Sequence, residues 1–314
     1  LSQFQILHSM VQVEILSQIL LYGVLTGGIY ALIAMGLSLI FGVMDVVNFA
    51  HGAYLMLAMY SSYFAWQILG LDPFVSILLI TPVFFAFGVI SERLIIHPII
   101  DEPDFAQIFA TVGLIWVFEN FAHYFIGTDP KGISAGYGGI SLLGVPVQEV
   151  RVYGFIIALL TAVGMYLLLE KTKIGLAIRA TAQNKEAAEL MGMSSEFVYM
   201  VTFGLGVALV GVAGPVMASI YSVTPTVGNN YVLIAFVVVV LGGLGDVVGV
   251  LWAGILIGIV DAAVAFFYEP TLSAPVYYTI FVAVLVLRAT GYLGNSDDGL
   301  LTRIANLAPT GGRS

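Results

Sequence analysis

Apolar runs long enough to cross a lipid bilayer recur along this chain of 314 residues. A membrane-spanning helix needs about 20 consecutive apolar residues, and several segments approach or exceed that length. Only 9% of the residues are charged, whereas soluble globular proteins carry about 25%. The alternating pattern of a membrane β-barrel is absent. The sequence therefore predicts an all-α, polytopic membrane helical bundle with 8–10 transmembrane elements.

Two of these elements are predicted to be broken or re-entrant, because glycine and polar residues interrupt apolar sequence. The first apolar region, residues 15–43, is too long for one straight span, and we expect a break or sharp bend near Gly36. Polar residues follow at 41–52, and Gly242-Gly-Leu-Gly-Asp246 interrupts the second half. Paired interruptions of this kind mark the working centre of many transporters. The candidate translocation-path residues are Gly42, Asp45, Asn48, His51, Gly52, Gly242, Gly243 and Gly245.

Each of these features also has a simpler interpretation. Residues 41–52 suit an interfacial loop, and Gly242–Asp246 suits a glycine turn in which Asp246 only caps the next helix. Glu119 and Asp261 lie inside apolar segments, where ionisable groups are costly and usually functional. Both fall near an expected helix end, where a side chain can reach water. We therefore interpret these two carboxylates as interfacial.

The most polar internal segment is residues 171–192, which lies between long apolar runs. Asn184 is a typical N-cap, Glu186 falls in the first turn where the helix dipole favours an acid, and Gly192 is a typical stop. The pattern predicts a short amphipathic helix outside the membrane. Its charged residues face water, and the remaining side chains are left for contact with a partner: Ala187, Ala188, Leu190 and Met191.

Basic residues predict the orientation, because they concentrate in cytoplasmic loops. If the 171–192 segment is cytoplasmic, eight of the ten basic residues lie on the inside. Those eight are Arg93, Lys171, Lys173, Arg179, Lys185, Arg288, Arg303 and Arg313. Lys131 and Arg151 then lie outside, in the glycine-rich loop 127–151. The C-terminus is predicted to be inside, and the side of the N-terminus stays open.

Composition and missing motifs narrow the function. The formal net charge of −9 argues against binding nucleic acid or anionic lipid through a basic patch. The sequence has no cysteine, which excludes thiolate chemistry. Walker A, nucleophile-elbow and metal-ligand patterns are missing as well. We expect a non-enzymatic chain with one transmembrane domain over residues 1–294, whose first apolar run is retained, and a polar cytoplasmic tail over 295–314.

Several motifs together resemble one family. Residues 22–42, followed by Val47-Asn-Phe-Ala-His-Gly52, closely resemble the LivH-type permeases of branched-chain amino acid ABC importers. Glu186-Ala-Ala-Glu-Leu-Met-Gly192 resembles the cytoplasmic loop by which such permeases engage their ATPase. Residues 175–180, 241–245 and 289–294 are also similar to this family. Asp246 and Ala289 depart from its usual serine and proline.

The resemblance implies a cytoplasmic coupling loop over residues 171–197 and a multi-pass location in the inner or plasma membrane. It also implies a second, related permease subunit, two cytoplasmic ATPase subunits that hold ATP and Mg²⁺, and an extracytoplasmic binding protein. This chain itself is then expected to bind no cofactor or metal. The implied coupling-loop residues are Gly175, Arg179, Ala180, Glu186, Ala187, Ala188 and Gly192.

The substrate stays open between alternatives at this point. The resemblance implies leucine, isoleucine and valine, but close relatives resemble permeases for urea and short-chain amides. An ion-coupled secondary transporter is the alternative from outside the family. It would need a charge relay, for which Asp45, Glu119 and Asp261 are the candidates, and these three form no obvious series.

The predicted orientation can be tested with single cysteines, because the sequence contains none of its own. A cysteine at Ser134, in the glycine-rich loop, should react with a membrane-impermeant thiol reagent added to intact cells. A cysteine at Gln183, in the 171–192 segment, should react only after the membrane is opened. The reverse labelling pattern would invert the assignment of inside and outside.

Overall fold

A computed structural model describes residues 2–289 of the chain except residue 143, and the side chains of residues 15–287 within that range. These residues form eleven α-helices and one two-stranded antiparallel hairpin. The helices are α1 Ser2–Met44, α2 His51–Leu69, α3 Pro73–Ser91, α4 Asp104–Phe125, α5 Glu149–Lys171, α6 Lys173–Gln183, α7 Lys185–Leu190, α8 Ser195–Ile220, α9 Val227–Gly242, α10 Val247–Phe267 and α11 Ser273–Ala289. The strands are β1 Gly139–Leu142 and β2 Val145–Gln148. A π-helical turn, Glu92–Ile96, and a 3₁₀ turn, His97–Ile99, continue α3, and a second 3₁₀ turn, Pro270–Leu272, precedes α11.

The predicted all-α membrane bundle is confirmed. Seven helical segments of the described chain are long and apolar enough to cross a membrane. α9, with 16 residues, and α2, with 19, are packed among them. These nine helices lie within the predicted range of 8–10 membrane elements. The 139–148 hairpin lies in the glycine-rich loop 127–151 and is the only sheet among the described residues.

Two helices form the centre of the bundle. The most apolar window of α1 is 89% buried and that of α8 is 83% buried, whereas the windows of the other spans are 11–39% buried. α3 and α2 pack on α8, and α10, α9 and α5 pack on α1. The outer helices therefore leave much of their apolar surface for lipid or for other subunits.

α1 and α10 lie so close that their backbones touch at glycines. A Cβ added at Gly254 would lie 2.6 Å from the Cβ of Ala31, and one at Gly27 would lie 2.6 Å from the Cα of Ile255. The same holds for Gly23, where an added Cβ would lie 2.5 Å from the Cα of Ile259. Small residues allow this packing, which in a membrane takes the place of a hydrophobic driving force between helices.

The predicted break near Gly36 is wrong, because α1 is an unbroken helix to Met44. Gly36 has a different role. Its missing side chain lets α8 cross α1, and a Cβ there would clash with the carbonyl group of Gly206 and lie 3.0 Å from the His51 ring. The glycine that suggested a bend in α1 instead permits the close crossing of α1 and α8.

The first interruption is re-entrant, as predicted. α1 ends at Met44, and residues 45–50 run back alongside it, so that α2 begins beside the middle of α1. The Nε2 atom of His51, the first residue of α2, donates to the carbonyl oxygen of Ile33 at 3.0 Å. Ile33 precedes Met44 by eleven residues, or about 16 Å of helix at 1.5 Å per residue. α2 therefore begins inside the bundle.

The bundle has two distinct ends, which lie at the two ends of α5. We call the end with the β-hairpin, which precedes α5, the hairpin end, and the end with α6 and α7, which follow α5, the coupling end. At the hairpin end the Tyr22 hydroxyl donates to the carbonyl oxygen of Pro146 at 3.1 Å. Lys131 and Arg151, the two basic residues predicted to be outside, both lie at this end. Lys131 pairs through its backbone with Val223.

The glycine-rich loop is anchored at the hairpin end by a phenol. The Tyr137 hydroxyl donates a hydrogen bond to the Asp72 carboxylate, in the turn between α2 and α3. Burial, reinforced by the Asp72 hydrogen bond and charge, raises the pKa of Tyr137. The phenol therefore remains a donor at physiological pH, and the loop stays attached to the α2–α3 turn.

The α1–α10 contact gives a stability prediction with a matched control. Gly254→Ala places a methyl group against Ala31, and overpacking of this kind costs about 1–3 kcal/mol. We expect a lower thermal midpoint of the detergent-solubilised protein. Gly164→Ala makes the same change in α5, where nothing lies within 4 Å of the added Cβ. That control should leave the midpoint unchanged or slightly higher. Equal midpoints for both variants would contradict the close packing.

Candidate functional site

The re-entrant segment places two polar side chains inside the protein. Asn48 and His51 are both fully buried. Within the described residues, the Asn48 amide has no hydrogen-bond partner on either polar atom, and the Nδ1 atom of His51 has none. Buried polar groups are nearly always paired, and an unpaired one needs an explanation. The interfacial-loop interpretation does not fit side chains at this depth.

α9 contacts the re-entrant segment at its glycine. A Cβ at Gly52 would clash with the carbonyl oxygen of Gly228, and it would lie 2.9 Å from the Cβ of Val232. The Phe49 and Phe236 rings pack beside this contact with centroids 5.1 Å apart and planes inclined by 42°. Gly52 and Gly228 thus allow α2 and α9 to begin against each other within the bundle. The sequence predicted an interruption here but not the element that faces it.

Asp45 lies apart from the other polar residues of this segment. It is exposed just after α1, and its φ of 54° makes it the only described non-glycine residue with positive φ. Its backbone N–H donates to the carbonyl oxygen of Phe41 at 3.0 Å. It therefore ends the helix rather than joining Asn48 and His51. Only the latter two share one buried region.

The second interruption packs against the end of α1. Ser38 connects the two, because its hydroxyl donates to the Gly243 carbonyl oxygen at 3.2 Å and accepts from the Gly245 N–H at 2.9 Å. Gly243 and Gly245 have φ values of 105° and 79°. A Cβ at Gly42 would lie 2.5 Å from the Cα of Gly245. The candidates Gly42, Gly242, Gly243 and Gly245 therefore meet at the coupling end, apart from Asn48 and His51.

Asp246 does cap α10, as the simpler interpretation predicted. Its carboxylate accepts from the N–H groups of Val248 at 3.0 Å and Gly249 at 3.1 Å. These are N–H groups that a helix start leaves without a partner. The cap and the two glycine conformations together define a fixed turn.

The polar segment at the coupling end forms two short helices rather than one. Thr172 caps α6 by accepting from the Gly175 N–H at 3.0 Å, and Asn184 caps α7 by accepting from the Ala187 N–H at 2.9 Å. The Asn184 cap was predicted. α7 ends at Leu190, and Gly192 follows with a φ of 84°.

α6 is held against the end of α5. A Cβ at Gly175 would lie 2.5 Å from the Cα of Leu169. The Arg179 Nη1 atom lies 2.6 Å from a carboxylate oxygen of Glu170. Within the same helix Ile178 is 1% exposed, which fixes one face of α6 in the core. Gly175 and Arg179, both predicted to belong to the coupling loop, therefore join α6 to a membrane-spanning helix.

α7 presents apolar side chains to water. Leu190 is 89% exposed and Met191 is 80% exposed. Glu186 and Ala187 are exposed as well, while Ala188 is buried against the bundle. Lys185 lies 3.8 Å from the exposed Asp101, in the connection between α3 and α4, and a surface pair of this kind contributes little to the position of α7. This apolar pair, Leu190 and Met191, lies outside the candidate membrane spans and is available for contact with another protein.

The two intramembrane carboxylates have partners inside the protein. Glu119 accepts from the Asn229 side-chain amide at 2.6 Å, near the start of α9. Asp261 accepts from the hydroxyl of the buried Tyr30 at 2.9 Å. These bonds hold both carboxylates toward other helices.

Asp261 also lines a cavity that the sequence did not predict. The cavity has a volume of about 330 Å³ and lies at the hairpin end, between α1, α5 and α10. Further polar side chains from these helices and from the residue after α8 line it: Gln18, Tyr22, Thr26, Arg151 and Tyr221. The available signal was the charge in an apolar segment at Asp261. Arg151 had been used only to predict the orientation, as a basic residue of the outer loop.

Within the described residues no cluster of three or more acidic or histidine side chains is arranged to hold a metal.

Comparison with known proteins places this architecture in a family. The family model described as "Branched-chain amino acid transport system / permease component" matches residues 19–288. The chain belongs to this family. The match includes both interruptions, α6, α7 and the cavity. It makes the chain a transport permease component, embedded in the membrane by several passes.

Individual relatives match over most of their length. The permease BraD of the high-affinity branched-chain amino acid transport system of Pseudomonas aeruginosa is 28% identical, over 89% of this chain and 96% of the relative. LivH of Escherichia coli is 26% identical, over 88% and 94%. A probable LivH of Methanocaldococcus jannaschii is 27% identical, over 85% and 87%. No solved structure gives a significant match.

The unpaired Asn48 amide of this permease gives a prediction that separates transport from folding. Asn48→Leu removes an unsatisfied buried amide, which costs about 1–3 kcal/mol, so thermal stability should stay equal or rise by up to that amount. If the amide serves another conformation of the transport cycle, uptake of radiolabelled substrate should fall.

Thr202→Val is the matched control. The Thr202 hydroxyl is also fully buried and without a partner in the described structure, but it lies in the continuous helix α8. This variant should transport normally. Normal uptake by Asn48→Leu would leave the re-entrant amide without a transport role, and loss of the protein would assign the amide to folding.

Proposed function

We propose that this permease is the membrane subunit of an ATP-driven importer for leucine, isoleucine and valine. Its relatives are named for branched-chain amino acid transport, and the family match covers nearly all membrane elements. We infer that it forms the translocation path with a second, related permease. Two ATPases at the coupling end would hold ATP and Mg²⁺, and a binding protein would deliver substrate at the hairpin end. The chain itself would then need no cofactor.

The exposed apolar surface of α7 is the observation that carries this proposal. Leu190 and Met191 are exposed outside the candidate membrane spans, where an isolated chain gains nothing from their exposure. Ala187 is exposed beside them and is small, so that a partner can approach the helix backbone closely. A rigid, capped helix with such a face suits docking to a soluble subunit.

The attachments of α6 and α7 suit the transmission of movement. α6 is packed on the end of α5 through Gly175 and paired to Glu170 through Arg179. α7 faces the α3–α4 connection at Lys185 and Asp101 and is packed on the bundle through the buried Ala188. In the proposed cycle, closure of the ATPases on ATP displaces this pair of helices as a lever. The displacement then reaches α5 and the α3–α4 connection together.

The hairpin end suits the delivery of substrate. The loop 127–148 covers this end and is fixed to it through Tyr137, Lys131 and Pro146. A fixed loop with many exposed backbone groups offers a soluble protein a defined surface. In the predicted orientation this surface faces outward, opposite to α7.

The docking role of α7 predicts an uncoupled variant. Ala187→Glu places an extra charge in the proposed interface, and burying an unpaired charge costs several kcal/mol. Half of that weakens ATPase association about tenfold or more at 1.4 kcal/mol per factor of ten. Because Ala187 is exposed, insertion and folding should be normal. Co-purification of the ATPase and substrate-stimulated ATP hydrolysis should both fall.

Ser134→Glu serves as the control, since it adds the same charge at an exposed position of the opposite end. It should leave ATPase association unchanged. Normal coupling in Ala187→Glu would refute the docking role. Branched-chain amino acid uptake by cells that produce the whole complex tests the proposed substrate directly, and uptake of urea or short amides alone would overturn it.

A further inference from the structure

We propose that the cavity at the hairpin end binds the transported molecule as a zwitterion, with Arg151 holding the α-carboxylate and Asp261 holding the α-ammonium group. This assignment rests on the proposed function, because it takes the substrate to be an amino acid. It goes further by giving the permease its own recognition site, separate from that of a binding protein. It also assigns a role to Asp261, which lies outside both interruptions.

The cavity has the dimensions and lining of a small-molecule site. Its volume of about 330 Å³ lies at the lower end of the range for such sites, about 300–1,000 Å³. Three helices contribute to it, with Thr26 from α1, Arg151 from α5 and Asp261 from α10. Apolar side chains line the rest, including Ile19 and Phe266. A few polar groups in an apolar surface fix a ligand's orientation.

Arg151 is held over the cavity by neutral partners. Its Nη1 atom donates to the Thr26 hydroxyl at 2.9 Å and its Nε atom donates to the Gln148 side-chain oxygen at 3.2 Å. The guanidinium carbon lies 5.6 Å from the centre of the Tyr221 ring and 5.9 Å from that of Tyr22. Among the described residues Arg151 forms no ion pair. Its planar charge is therefore fixed in place and is suited to a carboxylate.

Asp261 is held in a similar way. Its carboxylate accepts from the Tyr30 hydroxyl at 2.9 Å, and Tyr30 is itself only 6% exposed. The described residues provide no cation within ion-pair distance of this carboxylate. Asp261 lies within an apolar helix, where a carboxylate is costly and is normally paired or placed on a substrate path. An ammonium group in the cavity would supply the missing cation.

The two charges together match an α-amino acid. Arg151 and Asp261 line the same cavity without pairing with each other, which leaves a gap between a fixed cation and a fixed anion. An α-amino acid zwitterion carries its carboxylate and its ammonium group on the same carbon atom. It therefore fits between Arg151 and Asp261 in one orientation. The apolar lining then receives the side chain. Urea and simple amides carry neither charge, so this site would discriminate against them.

The test uses the whole transport complex in lipid nanodiscs, without the binding protein, and measures equilibrium binding of radiolabelled leucine. Unlabelled 4-methylpentanoate, which lacks the ammonium group, and 3-methylbutylamine, which lacks the carboxylate, serve as competitors. Asp261→Asn and Arg151→Gln should each weaken leucine binding on the order of tenfold or more. Glu269→Gln, which removes a carboxylate near this end but outside the cavity, should not.

The competitors distinguish recognition from support of the fold. Asp261→Asn should weaken the amine and spare the acid, and Arg151→Gln should weaken the acid and spare the amine. Equal weakening of all three ligands by both variants would overturn the assignment in favour of a structural role.

Uptake by the complete complex with its binding protein separates this inference from the proposed function. If the native complex accumulates leucine but does not bind it in nanodiscs, or if both variants bind it normally, the zwitterion site is wrong and the importer stands. If the native complex accumulates no branched-chain amino acid, the proposed function fails. Both the zwitterion site and the importer function are supported if each variant loses affinity for a different analogue and the native complex takes up leucine.

Discussion

The close backbone approach between α1 and its neighbours is the constraint on which this fold depends. Helices in lipid gain little from burying apolar surface, so they must gain from contact and shape. Along one helix, Gly27 meets α10, Gly36 meets α8 and Gly42 meets the Gly245 turn. α1 can therefore be surrounded on several sides, and its central window is almost wholly buried. A side chain at any of these positions would displace a different neighbour.

The sequence predicted the features that depend on local chemistry. Apolar length identified the membrane helices, Asn184 marked a helix start through its own side chain, and Gly243 and Gly245 marked a turn that requires positive φ. Each of these signals lies within a few residues of the structure that it specifies. The re-entrant segment was predictable for the same reason, because polar residues interrupt an apolar run.

The features that the sequence did not predict depend on residues far apart in the chain. Gly36 has the same local pattern whether it bends a helix or admits α8, and only the position of Gly206 decides between the two. The cavity at the hairpin end joins Arg151 and Asp261, which are separated by four helices in the sequence. A single charged residue in an apolar run shows that its burial costs free energy, but it does not identify the residue that will lie opposite it.

α9 offers a physical connection between the two interruptions. Its first turn contacts the re-entrant segment at Gly52, and its last residue, Gly242, packs against Val250 beside the Ser38-bound turn. Its 16 residues span about 24 Å at 1.5 Å per residue. The helix therefore joins the turn at the coupling end to the contact between Gly228 and Gly52. The buried Asn48 and His51 lie in the re-entrant segment that forms this contact, so α9 physically links their surroundings to the coupling end.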